Sequence, residues 1–264
     1  MRKSVEGYVR KCDPCQRRKE DREFVAPLGE VEEPTAPFLV TSVDITGPYL
    51  ISPRKNKYLL SFIDNFTKYV EAFPIPDQSV ETCVRVYATQ IVTRHGTGST
   101  LITDQGRSFM SSFFKETCRI LGIRKLNMSS YHPSSNGMVQ RFHGSFHTGL
   151  SHYIDSANIN WDIVVTLYLM SYRATPNTTT GFSSYYLLHG REMALPNSDN
   201  LKTKLPKEKE NFDQDCRLQN LKSSLQLAYK EVKKANRRSH LNNKRLYDRK
   251  AKLRSFQLED TVYL

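Results

Sequence analysis

Residues 38–50, FLVTSVDITGPYL, have the composition of a buried β-strand that ends in a turn. The stretch is apolar and β-branched up to Asp44, and Gly47-Pro48 then interrupts it. The same arrangement recurs in STLITDQGRSF, residues 99–109, where Asp104 follows the strand. Because functional groups collect at strand ends in open α/β sheets, we expect Asp44 and Asp104 to lie together.

Two carboxylates that converge at one edge of a sheet have the chemistry to bind a hard divalent cation, Mg²⁺ or Mn²⁺. A single aspartate after a strand is more often a turn-capping residue, and this alternative applies to each of the two taken alone. Asp64 also follows a strand. The Asn-Phe-Thr that comes after it is typical of a hairpin, so we predict a structural role for this third aspartate.

Strands and helices alternate outward from these stretches. Residues 57–77 predict two strands with a turn near Asn65, and residues 79–96 predict a helix between an N-capping serine and a glycine. A second helix is predicted before Gly122, and a weak strand follows it. The alternation predicts an α/β domain over residues 38–195. The residues expected on the inward face of the second helix are Phe113, Thr117, Ile120 and Leu121.

A longer helix is predicted from Met138 onward, because apolar residues recur there at steps of three and four. The apolar stripe consists of Val139, Phe142, Phe146, Leu150 and Tyr153. The periodicity places Gln140, His143, Gly144 and His147 on the opposite, polar side. Residues 161–172 are apolar nearly all round and predict a largely buried helix.

The chain has a formal charge of +12, from 39 basic and 27 acidic residues among 264. Residues 201–264 contain 17 Lys and Arg against 8 Asp and Glu, whereas residues 31–200 contain 14 against 13. This asymmetry predicts a nearly neutral globular body followed by a basic helical extension. It favours a polyanionic partner over an acidic small-molecule substrate. No membrane-spanning run or signal peptide is apparent, so we expect an intracellular protein.

Three blocks of the sequence together resemble the integrases of gypsy-type LTR retrotransposons and, more distantly, of retroviruses. The blocks are VDITGP at Asp44, ITDQGRSF at Asp104 and YHPSSNGMVQRFH at residues 131–143. The family signature is Asp, Asp and then Glu 35 residues further on. Here 59 residues separate the two aspartates and 35 more precede position 140, where the residue is Gln140.

The resemblance implies an RNase H-like fold, a mixed five-stranded sheet flanked by helices. It also implies two metal ions that activate water or a 3′-hydroxyl for attack on a DNA phosphodiester. Asp44 would bridge both ions, Asp104 would serve one, and position 140 the other. Gln140 brings no charge, and loss of a ligand carboxylate should cost more than the roughly 10–100-fold lost with supporting residues. We therefore expect impaired catalysis, and a non-catalytic DNA-binding or assembly protein is the alternative.

The regions that flank the core resemble incomplete integrase domains. Cys12 and Cys15 have the spacing of half a zinc site, but no histidine precedes them, so we predict a remnant and no bound Zn²⁺. Residues 255–264 resemble only the first strand of the family's C-terminal barrel. The predicted organisation is a zinc-domain remnant at 1–23, linker 24–37, catalytic core 38–195, linker 196–211, basic helical segment 212–254 and barrel start 255–264.

Several polar and basic residues are candidates for contact with DNA. Asn136 lies in the loop before the helix that carries Gln140, and Arg141 and His143 lie on that helix. The remaining candidates are in the basic segment: Lys233, Lys234, Arg237, Arg238, Lys244 and Arg245. The resemblance also implies a homo-oligomer and a nuclear location.

Overall fold

The computed structural model describes residues 33–127, 133–153, 160–196 and 214–249, together with Val5, Gly7, Tyr8 and Cys12. Within these ranges, the side chains of residues 133–137, 152–153 and 214–217 are outside the description. The chain divides into two compact units, Glu30–Asn243 and a second one that combines Met1–Gly29 with Lys244–Leu264. The sheet and the candidate catalytic residues lie in the first unit.

Five strands form one mixed sheet in the order β3-β2-β1-β4-β5. Strand β1 pairs antiparallel with β2 and parallel with β4, β2 pairs antiparallel with β3, and β4 pairs parallel with β5. The predicted mixed five-stranded sheet is thereby confirmed. The strands are β1 Val40–Thr46, β2 Tyr58–Asp64, β3 Val70–Ile75, β4 Thr100–Thr103 and β5 Arg124–Asn127.

Helices cover both faces of this sheet. The first, α1, runs over Val80–Val86 and continues through a π-helical segment, Tyr87–Val92, and a last turn, Thr93–His95. Its predicted N-cap is confirmed, since the Ser79 side chain accepts a hydrogen bond from the backbone N–H of Thr82. The others are α2 Arg107–Met110, α3 Ser112–Ile120, α4 Pro133–Tyr153, α5 Trp161–Ala174, α6 Ser184–His189 and α7 Gln214–Asp248.

The side chains of β1 alternate between the two faces of the sheet, and each face carries its own apolar core. Val43 packs into the core beneath α1 and α3, and its neighbours Ser42 and Asp44 point to the opposite face because strand side chains alternate. On that opposite face the sheet packs against α4 and α5. This second core contains Ile63, Val139, Phe142, Phe146, Leu150, Trp161 and Val165.

The hairpin between β2 and β3 is closed by Asp64, whose predicted structural role is confirmed. Its carboxylate is fully buried and accepts hydrogen bonds from the backbone N–H groups of Phe38, Phe66 and Thr67 and from the Thr67 hydroxyl. Four donors satisfy both oxygens, so this aspartate has no free lone pair suited to a metal.

The predicted inward face of α3 was wrong by one residue. Phe114 and Cys118 are buried, whereas Phe113 and Ile120 are 54% and 71% exposed. Apolar residues lie on two sides of this short helix, so periodicity alone does not determine which side faces the sheet. The Phe114 ring lies against Phe109 at a centroid distance of 5.3 Å, and this contact selects the buried side.

Helix α5 is buried on one side only, which corrects the prediction of a largely buried helix. Trp161, Val165 and Leu169 pack into the second core, while Ile163 and Leu167 are 43% and 57% exposed. The helix is apolar nearly all round, but the sheet and α4 cover a single face of it within the described residues.

The basic helix α7 is anchored on the core rather than extended into solvent along its whole length. Ala228 and Val232 are buried in a small cluster with Phe66 of the β2–β3 hairpin and Leu187 of α6. The Tyr229 hydroxyl donates to the Leu187 carbonyl at 2.9 Å. None of the helices in the described ranges is long and apolar enough to cross a membrane.

Candidate active site

The two candidate aspartates lie side by side at adjacent strand ends. Val43 of β1 is in register with Thr103 of β4 in the parallel pair, so the residue after each, Asp44 and Asp104, reaches the same level of the sheet. Neighbouring strands are about 4.8 Å apart, which brings the two carboxylates together. The structure thus places both aspartates as the sequence predicted.

The carboxylates of Asp44 and Asp104 repel each other, and Asp44 is also partly buried. Burial and then the charge of Asp104 raise the pKa of Asp44 to about 6, against the opposing effect of a hydrogen bond from the Ile45 N–H at 2.9 Å. Asp104 is held by the Gly106 N–H, which donates to its Oδ1 at 3.0 Å. A bound dication would relieve the repulsion, because an opposite charge favours the ionised carboxylates.

His143 also belongs to this cluster, and its predicted place on the polar side of the helix was wrong. The residue is only 9% exposed, its Nδ1 lies 3.6 Å from Asp44 Oδ2, and its Nε2 lies 3.2 Å from the Ser61 hydroxyl. Burial and then the charge of His147 lower the pKa of His143 to about 4, so the ring is neutral at physiological pH. Its spacing of four from Val139 and three from Phe146 could have indicated this inward position.

Position 140 lies on the same flank of α4, three residues before His143. Val139 is fully buried and fixes the rotation of the helix, while Gln140 is exposed. Residues three apart are neighbours on a helix surface, so Gln140 lies on the flank that packs beside Asp44. Its amide is neutral, and no hydrogen bond to it occurs within the described part of the chain.

The donor set fits one hard cation better than two. Asp44 and Asp104 supply two carboxylates at one point, which suits Mg²⁺ or Mn²⁺ with water or phosphate oxygens as the remaining ligands. Within the described segments, no three His, Cys, Asp or Glu side chains are arranged to hold a metal ion. A second ion would lack the carboxylate that the signature places at position 140.

The other predicted residues are spread over different parts of the molecule. The Asn136 side chain and Cys15 lie outside the described residues, and Cys12 is a partly buried free thiol. Arg141 is exposed on the far flank of α4 from His143. On α7 the side chains of Lys233, Lys234, Arg237, Arg238 and Arg245 are exposed, and Lys244 lies 3.9 Å from Asp248.

Comparisons with known proteins show similarity to integrases and to Pol polyproteins. Residues 34–133 match the family model described as Integrase core domain. The Retrovirus-related Pol polyprotein from transposon 412 of Drosophila melanogaster is 28% identical over 264 residues, which is 100% of this chain and 21% of that protein. The Gag-Pol polyprotein of Baboon endogenous virus (strain M7) is 28% identical over 189 residues, 70% of this chain and 11% of that protein. The chain therefore spans about a fifth or less of the length of these curated relatives.

A solved structure supports the fold. The structure of a simian T-cell lymphotropic virus intasome in complex with PP2A regulatory subunit B56 gamma gives a TM-score of 0.55 at 22% identity. The match covers 75% of this chain and 70% of that chain. The mixed sheet with helices on both faces is thus the RNase H-like fold of integrase cores. Residues 34–133 thus match the Integrase core domain family model, in a chain that is similar along its whole length to part of a transposon Pol polyprotein.

Proposed function

We propose that this chain is a retrotransposon-derived integrase core that acts in DNA integration and whose catalysis is impaired by Gln140. The observation that carries the proposal is the pairing of Asp44 with Asp104 at adjacent strand ends, where burial and the charge of Asp104 raise the pKa of Asp44. Two carboxylates placed in this way suit the binding of a divalent cation. The reaction class is metal-dependent phosphodiester cleavage and strand transfer.

The residues of the site have distinct tasks in this proposal. Asp44 and Asp104 hold Mg²⁺ or Mn²⁺, and the Ile45 and Gly106 N–H groups orient one oxygen of each carboxylate. The cation supplies Lewis-acid polarisation of the scissile phosphate. His143, neutral and hydrogen-bonded to Ser61, packs against Asp44 and keeps solvent from one side of it. Gln140 supplies at most a neutral carbonyl oxygen.

The metal site is tested by titrating the metal-depleted protein with Mn²⁺ in a calorimeter. We expect the wild type to bind Mn²⁺, and Asp44→Asn and Asp104→Asn each to weaken binding by more than about tenfold, as losing a ligand should cost more than losing its support. Asp77→Asn is the matched control, because Asp77 is exposed and only caps the start of α1 through Ser79. Equal binding by all four proteins would place the cation elsewhere.

DNA is the proposed polyanionic partner, and α7 the main source of affinity. Anchoring by Ala228 and Val232 fixes the orientation of the helix on the core, and exposed basic residues follow immediately in sequence. Arg141 and Asn136, both on α4, remain candidates for DNA contact, whereas a direct contact from the buried His143 is not proposed. Self-association and a nuclear location complete the proposal, by analogy with integrases that assemble on DNA.

A fourfold substitution tests the basic helix without removing it. Deleting residues 201–264 would also remove the anchor on Phe66, so we choose substitution of Lys233, Lys234, Arg237 and Arg238 by Gln. We expect weaker DNA binding and a smaller salt slope, by about 0.9 for each phosphate that is no longer neutralised. Fluorescence anisotropy over a salt series measures both. The control replaces four exposed basic residues of the same total charge, Lys55, Arg85, Lys115 and Arg119. If the control loses as much, the charge effect is general and α7 is not the binding surface.

The second candidate is a DNA-binding or assembly module without catalysis. The neutral, exposed Gln140 favours it, because the fold tolerates this residue while the metal site loses a charge. The reversion experiment described in the Discussion separates the two candidates.

A further inference from the structure

A cavity of about 350 Å³ lies beside α4. Met138, Arg141 and Ser145 line it from α4, whereas His143 contacts Asp44 from the other flank. The buried stripe of Val139, Phe142 and Phe146 runs between the two flanks. The volume falls in the range of pockets that hold small organic ligands and is far beyond that of one water molecule.

Lys68 supplies a buried cation to this cavity. It lies in the β2–β3 turn with φ 65°, is 9% exposed, and donates from Nζ to the Asn65 carbonyl at 2.6 Å. An ammonium has three donors, and no carboxylate lies within ion-pair distance of it among the described residues. The neighbouring Asp64 oxygens are occupied by the four donors of the hairpin.

The charges around Lys68 do not fully neutralise its ammonium group. Burial lowers the pKa of Lys68 to about 8, with Asp64 acting in the opposite direction and Arg141 adding to the depression. Arg141 lies on the same cavity wall and makes no ion pair within the described ranges. Glu33 and His240 also line the cavity, so the basic groups of Lys68 and Arg141 face one carboxylate, that of Glu33. An entering anion would satisfy free donors on both cations.

Asn236 of α7 also lines the cavity, and its side-chain oxygen is an unmet acceptor. Its Nδ2 donates to the Phe66 carbonyl at 3.1 Å, which fixes the orientation of the amide. Its Oδ1 is buried and has no hydrogen-bond partner. An unpaired buried acceptor is unfavourable, and a ligand with a hydroxyl or amino group would remove that cost.

We propose that this cavity binds a nucleotide, with its phosphate on Lys68 and Arg141 and a hydroxyl or amino group on Asn236 Oδ1. The ligand must combine an oxyanion with hydrogen-bond donors, and it must be of small-molecule size. A free nucleotide and the terminal nucleotide of a DNA strand share this chemistry. Neither Asp44 nor Asp104 lines the cavity. The site needs no catalytic competence, so it goes beyond the proposed function and does not rest on it.

Calorimetric titrations of the full chain in metal-free buffer test the site with three probes. They are deoxyadenosine monophosphate, sulfate as an oxyanion without donors, and a single-stranded oligonucleotide with or without a 5′-phosphate. We expect the nucleotide to saturate one site and sulfate to bind more weakly. Lys68→Met should weaken nucleotide binding by roughly tenfold or more, through the loss of one charge-assisted hydrogen bond.

Lys55→Met is the matched control for Lys68→Met. Lys55 has the same left-handed backbone, φ 65°, but is exposed in the β1–β2 connection. The Lys55→Met variant should bind the nucleotide as tightly as the wild type does. Arg141→Gln, at an exposed position that should not perturb folding, should also weaken binding, and Asn236→Ala should weaken the nucleotide but not sulfate.

The outcomes are distinct. Phosphate-dependent binding of the oligonucleotide without binding of the free nucleotide would support the site and assign it to a DNA end. The proposal would be overturned if neither the free nucleotide nor the oligonucleotide bound. It would also be overturned if the Lys55→Met and Lys68→Met variants lost equal nucleotide affinity. Because every titration lacks metal, failure here leaves the assignment of Asp44 and Asp104 unaffected.

Discussion

Replacing Gln140 by Glu is expected to raise cleavage of DNA by more than about a hundredfold over the wild-type chain, which should show little activity with Mg²⁺. Changes to residues that merely support metal ligands alter activity by roughly 10–100-fold, and a missing ligand carboxylate should cost more. The substitution restores a third negative charge beside Asp44 and Asp104. It should leave folding nearly unchanged, because exposed isosteric substitutions shift stability by under about 0.5 kcal/mol.

The measurement is a single-turnover rate on a preformed branched DNA, with Mg²⁺ or Mn²⁺ as the cofactor. Resolution of such a substrate needs mainly the core domain and little assembly with flanking domains. Gln78→Glu is the matched control, because it adds the same charge at an exposed position before α1. Combining Gln140→Glu with Asp44→Asn should abolish the gain, since the restored carboxylate then has no intact partner.

Two results would contradict this expectation. Robust cleavage by the wild type would mean that another group supplies the third ligand, and His143, 3.6 Å from Asp44, would be the first residue to test. A reversion without activity, in a protein that still binds Mn²⁺ through its Asp pair, would place the damage beyond position 140. It would favour the non-catalytic DNA-binding candidate.

The two strand ends and their aspartates could be predicted because the information for them is local. A β-branched run followed by Asp and a glycine turn predicts a strand end, whereas the mixed five-stranded sheet was implied by the family resemblance. The structural role of Asp64 followed from the hairpin residues after it.

The errors arose where tertiary contacts decide between equivalent local patterns. Helix α3 has apolar residues on two sides, and only its contact with Phe109 selects Phe114 over Phe113. His143 is polar by type, yet it is buried because β1 and β2 present Asp44 and Ser61 opposite it. The cavity was beyond sequence reasoning, since Lys68 and Asn236 lie 168 positions apart.

Removing one partner from a buried ion-pair network should destabilise the core strongly. Glu71 of β3 receives a bond from Arg173 Nη2 of α5 at 2.6 Å and lies 3.2 Å from His95 Nε2 at the end of α1. Arg173 also donates from Nε to the Val70 carbonyl at 2.8 Å. Glu71 and Arg173 side chains are 8% and 17% exposed, so the network joins strand and helices away from water.

We expect Glu71→Gln to destabilise the protein by about 3–5 kcal/mol, because removing one partner of a buried pair leaves the other charge uncompensated. At about 2–4 °C per kcal/mol, the melting temperature should fall on the order of 10 °C. Thermal melts followed by circular dichroism measure the change. Glu116→Gln is the control, since Glu116 receives a bond from Arg119 at the same 2.6 Å but both side chains are more than half exposed. Its melting temperature should equal that of the wild type.

The pH dependence gives this prediction its second check. Burial alone raises the pKa of Glu71, but the His95 hydrogen bond and the charges of Arg173 and Arg94 outweigh it and hold the pKa below its ordinary value of 4.5. A carboxyl whose pKa is depressed by folding stabilises the native state above its unfolded pKa, and that contribution is lost as pH falls through the folded value. The difference in stability between the wild type and the Glu71→Gln variant should therefore be fully present at pH 7 and should become smaller below pH 4.5. A gap that persisted unchanged into that acid range, or a Glu71 variant as stable as the Glu116 variant, would show that the network contributes packing without net electrostatic stabilisation.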